Sequence, residues 1–239
     1  MVIDGYNFPN SFIKFGKYDN LVKLKNGSIH MKDFNYYRGK DKQGQGDKFE
    51  GSKYINQYVT ISVEGIEPFD LPASLYYDPN PDIKIPIFCA TWIDSNNSYL
   101  QSVDETGIGE LHVKLDVERF KADFECDYGL IIDYVEFQYK METYCKNHNI
   151  GLDQGLVNYY DIHNDFDNPW LKNKVNSNDR FYTKDKFFSY QNEVRWVLNK
   201  LIDEDKDNLT ISVEPFKFCS LLPVEKFSDL VIKRYCFKE

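Results

Sequence analysis

Short runs in which apolar and polar residues alternate recur along the chain, and they constrain its fold more than any other feature. "SFIKFGK", "SIHMKDF", "KYINQYVTISVEG", "IPIFCATWI", "GLVNYYDI", "NLTISVEPFKF" and "DLVIKRYCF" all read as strands. "ELHVKLDVERFKADF" reads as a strand leading into a short helix. "YGLIIDYVEFQ" begins as an apolar strand, and "KMETYCKNHNIG" after it is a helix or a polar connection. A first short helix is expected in "YDNLVKLKNG", beginning near Asp19 and stopped by the Asn26-Gly27 pair. Pro68, Pro72, Pro79, Pro81 and Pro86 are expected to break the region between the third and fourth of these strands. Many strands with few long helices predict an α+β fold, a single domain over 1–239 built on mostly antiparallel sheet with a few short helices. Residues 201–239 would supply its C-terminal strands.

The core of such a fold is aromatic here, with 18 Tyr and 18 Phe in 239 residues. The net charge of −9 argues against broad nucleic-acid binding, which needs clustered Lys and Arg, and suits a protein partner with a basic surface. No run of 18 apolar residues occurs, and "MVIDGYNFPNSF" lacks the basic and apolar regions of a signal peptide. A cytoplasmic location is expected, or the host cytoplasm for a phage-encoded chain. The five scattered cysteines form no CxxC pair and read as reduced thiols. His30, His112, His148 and His163 have no ligand spacing, so no metal is expected. No permanently bound cofactor is expected either. No GxSxG or P-loop pattern is present.

One stretch raises a chemical question. In "KFFSYQNEVRWVLNK", Lys186 to Lys200, Val194, Trp196 and Leu198 alternate as a buried strand should, and residues 187–199 are expected to form one interior strand. Gln191, Glu193 and Arg195 then share its opposite face. A carboxylate beside an amide suits a ligand-gripping wall, whereas a Glu193–Arg195 ion pair also suits an exposed sheet surface. "GDKFEG" sets Asp47 and Glu50 around Phe49 in a Gly-rich loop, either a substrate lid or a solvated turn. "NYYRG" joins Tyr36 and Tyr37 to Arg38, a combination that stacks on a nucleobase or nicotinamide and that also serves as half-buried packing. "DEDKD", Asp203 to Asp207, reads as a solvated turn.

The order of these motifs carries a resemblance. "FIKFGK", a short helix ending in Asn-Gly, "DFNYYRG…GDKFEG", "IFCATW", "YGLIID", "VNYYD" and "KFFSYQNEVRWVL" follow one another over roughly residues 12–200. This resembles an uncharacterised bacterial and phage domain family with a Lys-Tyr strand, an FNDPFEG-type loop, a CFS-type strand and a closing YENEYR-type strand. Here the loop motif is split by an insertion, and Thr91 stands for the Ser of the CFS-type strand.

More distantly, "QNEVRWVL" resembles the last motif of ADP-ribosyltransferases, a Gln or Glu two residues before a Glu that opens an apolar strand. That resemblance implies NAD as substrate, with Glu193 and Gln191 catalytic, Lys17 on the pyrophosphate, and Tyr36 or Tyr37 stacked on nicotinamide. Arg195 would support the cofactor-binding wall, and Asp47 and Glu50 the lid. The bases near the first strand are Lys14 and Lys17, where those enzymes have Arg or His. His30, or Tyr36 and Tyr37, would stand for their second motif. The function implied is ADP-ribosyl transfer or the processing of a related nucleotide. The alternative, suited by the acidic charge, is a non-enzymatic phage protein that binds and inhibits a host nuclease or defence complex.

Overall fold

The computed structural model describes residues 1–39, 53–77, 84–161, 179–203 and 205–238. Its centre is an eight-stranded sheet. In chain order the strands are β1 (Ser11–Gly16), β2 (Ser28–Asp33), β3 (Pro86–Trp92), β4 (Tyr128–Asp133), β5 (Gly151–Leu156), β6 (Glu193–Asn199), β7 (Asn208–Ser212) and β8 (Cys219–Pro223). They lie in the order β5-β6-β3-β1-β4-β8, with β7 on β2 and β2 on β3, every pairing antiparallel. The helices are α1 (Tyr18–Lys25), α2 (Phe34–Gly39), α3 (Val117–Phe124) and α4 (Tyr134–His148). The fold is α+β with mostly antiparallel sheets, as the strand-rich sequence predicts. Among the described residues, no helix is long and apolar enough to cross a membrane.

Alternation explains why the sheet is packed on both faces. Phe12, Phe88 and Trp196 project to one face and Ile13 and Ile131 to the other. On the first face α4 lays down Phe137, Met141 and Cys145, spaced four apart along one side of the helix. Phe137 stands 4.7 Å from Trp196 and 5.0 Å from Phe12, ring centre to ring centre. Such rings carry the fold: truncating one to Ala costs about 3–5 kcal/mol. Asp133 caps α4 by accepting from the Glu136 N–H at 3.0 Å, and Asn149 ends it with φ of 53°.

The edge of β3 is forked. β1 pairs with its Thr91–Trp92 end and β2 with its Pro86–Ile87 end. Among the described residues, Phe88, Cys89 and Ala90 between them have no strand partner on that edge. α1 spans the wedge, burying Leu21 and Leu24. The turn from α1 into β2 requires glycine: Gly27 has φ of 89°, and a Cβ there would sit 2.0 Å from the Val213 carbonyl oxygen.

Several expectations change. Residues 187–199 are not one strand. Lys186–Gln191 forms a 3₁₀ turn, started by Asp185 accepting from the Phe187 N–H at 2.7 Å, and Asn192 at φ 41° separates it from β6. Val194, Trp196 and Leu198 do face the core. Pro68 and Pro72 do not break their region: both lie within the strand Ile66–Tyr77, which pairs with Lys53–Val63 in a hairpin where prolines can face away from the ladder. Pro86 opens β3. Ser98–Val103 and β8 are strands that the alternation did not reveal. The proposed lid residues Asp47 and Glu50, like Pro79 and Pro81, lie outside the described residues.

Candidate functional site

Glu193 opens β6, and Asn192 fixes where that happens. In the left-handed region that Asn tolerates, Asn192 accepts from the Trp92 N–H at 2.7 Å and donates through Nδ2 to the Trp92 carbonyl and Asp94 Oδ1, each at 3.0 Å. This pins the register, with Glu193 opposite Thr91 and Arg195 opposite Cys89. Glu193 Oε1 accepts from Arg195 Nε at 2.8 Å, and Oε2 accepts from Arg195 Nη2 and Lys184 Nζ, each at 3.2 Å. Lys184 also donates to Gln191 Oε1 at 2.9 Å, and Gln191 Nε2 donates to the Tyr190 hydroxyl at 3.0 Å. Tyr190 in turn donates to Asp123. Arg195 Nη1 reaches the Phe181 carbonyl at 2.6 Å.

This network is buried, with Arg195 only 2% exposed and Glu193 7%. The reading of Glu193 and Arg195 as an exposed surface pair is therefore wrong: the face opposite the main core is also covered. Burial alone would raise the Glu193 carboxyl, but Arg195 and then Lys184 hold it well below the usual carboxylate range. The Cys89 thiol is pushed up to about 12, first by burial and then by Glu193, so it stays protonated. Burial, then Cys89, raises the Tyr37 hydroxyl well above its usual value. Lys14 is lowered by burial, against the opposing pull of Cys89 and Glu193.

A cavity of about 110 Å³ opens on this network, lined by Lys14, Tyr37, Cys89, Lys184, Gln191 and Glu193, with Phe120 and Phe124 on its apolar side. It approaches the size of an engineered cavity that accepts one benzene ring, about 150 Å³. The fork in the sheet supplies one wall. Lys14 Nζ donates at 2.5 Å to the Cys89 carbonyl, a group on the part of β3 that neither β1 nor β2 reaches.

Of the residues singled out from sequence, Gln191, Glu193 and Tyr37 line this cavity, and Arg195 grips Glu193 from behind. Tyr36 is not a lining residue; its ring stands edge-on to Tyr37 at 5.6 Å, with Lys32 over it at 4.4 Å. Lys17 is also outside: it is exposed and paired with Asp127 at 3.1 Å. Lys14, three residues earlier, takes the interior place. Its cue was present in "FIKFGK", where Lys14 is in phase with the core residue Phe12. Lys184 and Cys89 left no such cue. Among the described residues, no group of three or more His, Cys, Asp or Glu could hold a metal ion. No family model, no curated protein and no solved structure matches the chain.

Proposed function

We propose that the chain processes a nucleotide at the Glu193 cavity, with NAD as substrate and ADP-ribosyl transfer as the reaction. The observation that carries this reading is the convergence of Glu193, Gln191 and Tyr37 on one cavity. In this reaction the bond from ribose C1 to nicotinamide breaks, and its electron pair leaves with the ring, which becomes neutral. C1 develops oxocarbenium charge, the acceptor's lone pair forms the new bond, and the acceptor's proton passes to water. Arg195 and Lys184 keep Glu193 ionised, so it is a poor base, and its part in this reaction is to accept a hydrogen bond that positions the ribose. Oε1, which takes only the Arg195 Nε–H from those cations, accepts from the ribose 2′-hydroxyl in exchange for the Cys89 thiol. Gln191 holds Lys184 against the carboxylate and borders the acceptor's path. Tyr37 stacks on the nicotinamide.

The test is NAD consumption and transfer of labelled ADP-ribose to proteins of a cell extract. Glu193→Gln is expected to lose about 10²- to 10³-fold in rate, the effect of removing one preorganised electrostatic contact. Circular dichroism on the same samples corrects for folded fraction. Gln191→Ala, which leaves the Glu193–Arg195 pair intact, should lower the rate less. Turnover that survives Glu193→Gln in folded protein sinks the catalytic role.

A second reading, binding without turnover to a basic protein such as a host nuclease or defence complex, draws on the net charge of −9 and on the exposed Asp203, Asp205 and Asp207 turn. Absence of turnover together with salt-sensitive binding to a basic partner would select it.

A further inference from the structure

The wedge between β1 and β2 holds a second cleft, of about 510 Å³, which shares Lys14, Phe15 and Tyr37 with the Glu193 cavity. The two-residue period of β2 points Ser28, His30 and Lys32 into it, while Ile29 and Met31 go to the core. Lys14 enters from β1, Lys23 and Asn20 from α1, and Thr210 from β7, where it faces His30 in the antiparallel register. Thr210 Oγ1 lies 3.0 Å from His30 Nδ1.

The charge of this cleft runs against that of the protein. The chain has 38 acidic and 29 basic residues, yet among the described residues the cleft is lined by three lysines and no carboxylate. Asp207 reaches Lys32 at 3.1 Å. Among the described residues, Lys14 and Lys23 have no carboxylate within 4.0 Å. The His30 imidazole on this wall is pushed down by burial, then by Lys32, with Lys14 and Lys23 adding and Asp207 opposing.

We propose that this cleft binds the phosphoryl or pyrophosphoryl group of a small molecule. Lys23 and Lys32 meet the anion, Thr210 and Asn20 donate neutral hydrogen bonds, and Lys14 sits at the junction with the Glu193 cavity. Lys14 spends one N–H on the Cys89 carbonyl and retains others for the ligand. Lysine serves phosphate as a compact charge and needs no bidentate geometry. The cleft's size falls within the usual range of small-molecule sites, about 300–1,000 Å³. The assignment deepens the nucleotide reading by giving the phosphates a place beside the cavity, but it requires no catalysis.

The experiment is calorimetric titration of the full chain with inorganic pyrophosphate, AMP, ADP, NAD and adenosine at fixed ionic strength. Pyrophosphate and ADP are expected to bind, and adenosine not to. Lys23→Ala with Lys32→Ala should weaken pyrophosphate about tenfold or more, the scale of a lost charge-assisted hydrogen bond. Lys25→Ala is the control, an exposed lysine on the same helix that does not line the cleft, and should change little. Circular dichroism confirms that each variant is folded. Equal weakening by the Lys25 control, or no pyrophosphate binding by the wild type, overturns the proposal. Pyrophosphate bound as tightly as ADP and NAD supports the cleft while removing the nucleotide from the reading above, so the two can fail separately.

Discussion

Lys184 and Lys23 are the same residue type in opposite settings. Lys184 is 4% exposed and held by Gln191 and Glu193; Lys23 is exposed and faces a cleft that, among the described residues, no carboxylate lines. The first belongs to a closed set of charges whose attraction offsets their desolvation. The second costs little to keep solvated and leaves its field open to a ligand. Lys14 stands between them, with its ammonium on a backbone carbonyl and within the field of Glu193. The molecule thus places compensated charge beside uncompensated charge, and the two should respond differently to every perturbation.

The largest difference should appear in stability. Arg195→Met removes the bidentate partner of a buried carboxylate and should cost about 3–5 kcal/mol in urea melts. Lys23→Ala should stay within about 0.5 kcal/mol. Equal costs would erase the distinction.

Chemical reactivity gives the next largest effect. With its thiol pushed up to about 12, Cys89 should alkylate about 10³-fold more slowly at mildly alkaline pH than an unperturbed cysteine. Mass spectrometry of iodoacetamide-treated native protein reads this directly. Arg195→Met should change that rate if the network still governs the thiol in the folded variant.

Acid should then separate the two regions. Glu193 titrates below its usual 4.5 in the folded chain, so its contribution to stability is complete above that pH and drains away as pH falls towards the folded value. Wild type should lose stability more steeply than Glu193→Gln as melts are stepped down through pH 4.5. Parallel curves would place the acid-sensitive carboxylates elsewhere.

The smallest effect concerns His30, which should titrate below its usual 6.5 and rise when pyrophosphate neutralises the fields of Lys14, Lys23 and Lys32. By linkage, pyrophosphate should bind more tightly as pH falls through that titration. Imidazole NMR shifts with and without the anion check both statements.

How much of this was legible beforehand follows from physics. The strands with clean alternation were legible because burial imposes a two-residue period, and α1 was legible because Asn26-Gly27 announces its end. The 3₁₀ turn at Lys186–Gln191 was hidden because its aromatic residues also satisfy a strand pattern, and Asn192 broke that strand with a single dihedral. Glu193, Gln191 and Tyr37 were legible as chemistry-bearing residues in aromatic surroundings. That Lys14 rather than Lys17 lines the cavity was hidden, because position along a strand does not say where the sheet will fork. That fork depends on pairings between β3 and two strands that leave it at opposite ends, a non-local fact that no window of sequence contains.

The fork also has a kinetic meaning. Both cavities exist only once β3 has met β1, β2 and β6, and Glu193 and Thr91 pair across roughly 100 residues of intervening chain, the kind of distant closure that slows folding. The strands Lys53–Val63 and Ile66–Tyr77 pair with each other across a short turn, a local contact that can form early. Binding competence should therefore be among the last properties to return after denaturation, and recovery of pyrophosphate affinity should lag behind recovery of far-ultraviolet ellipticity in a refolding time course.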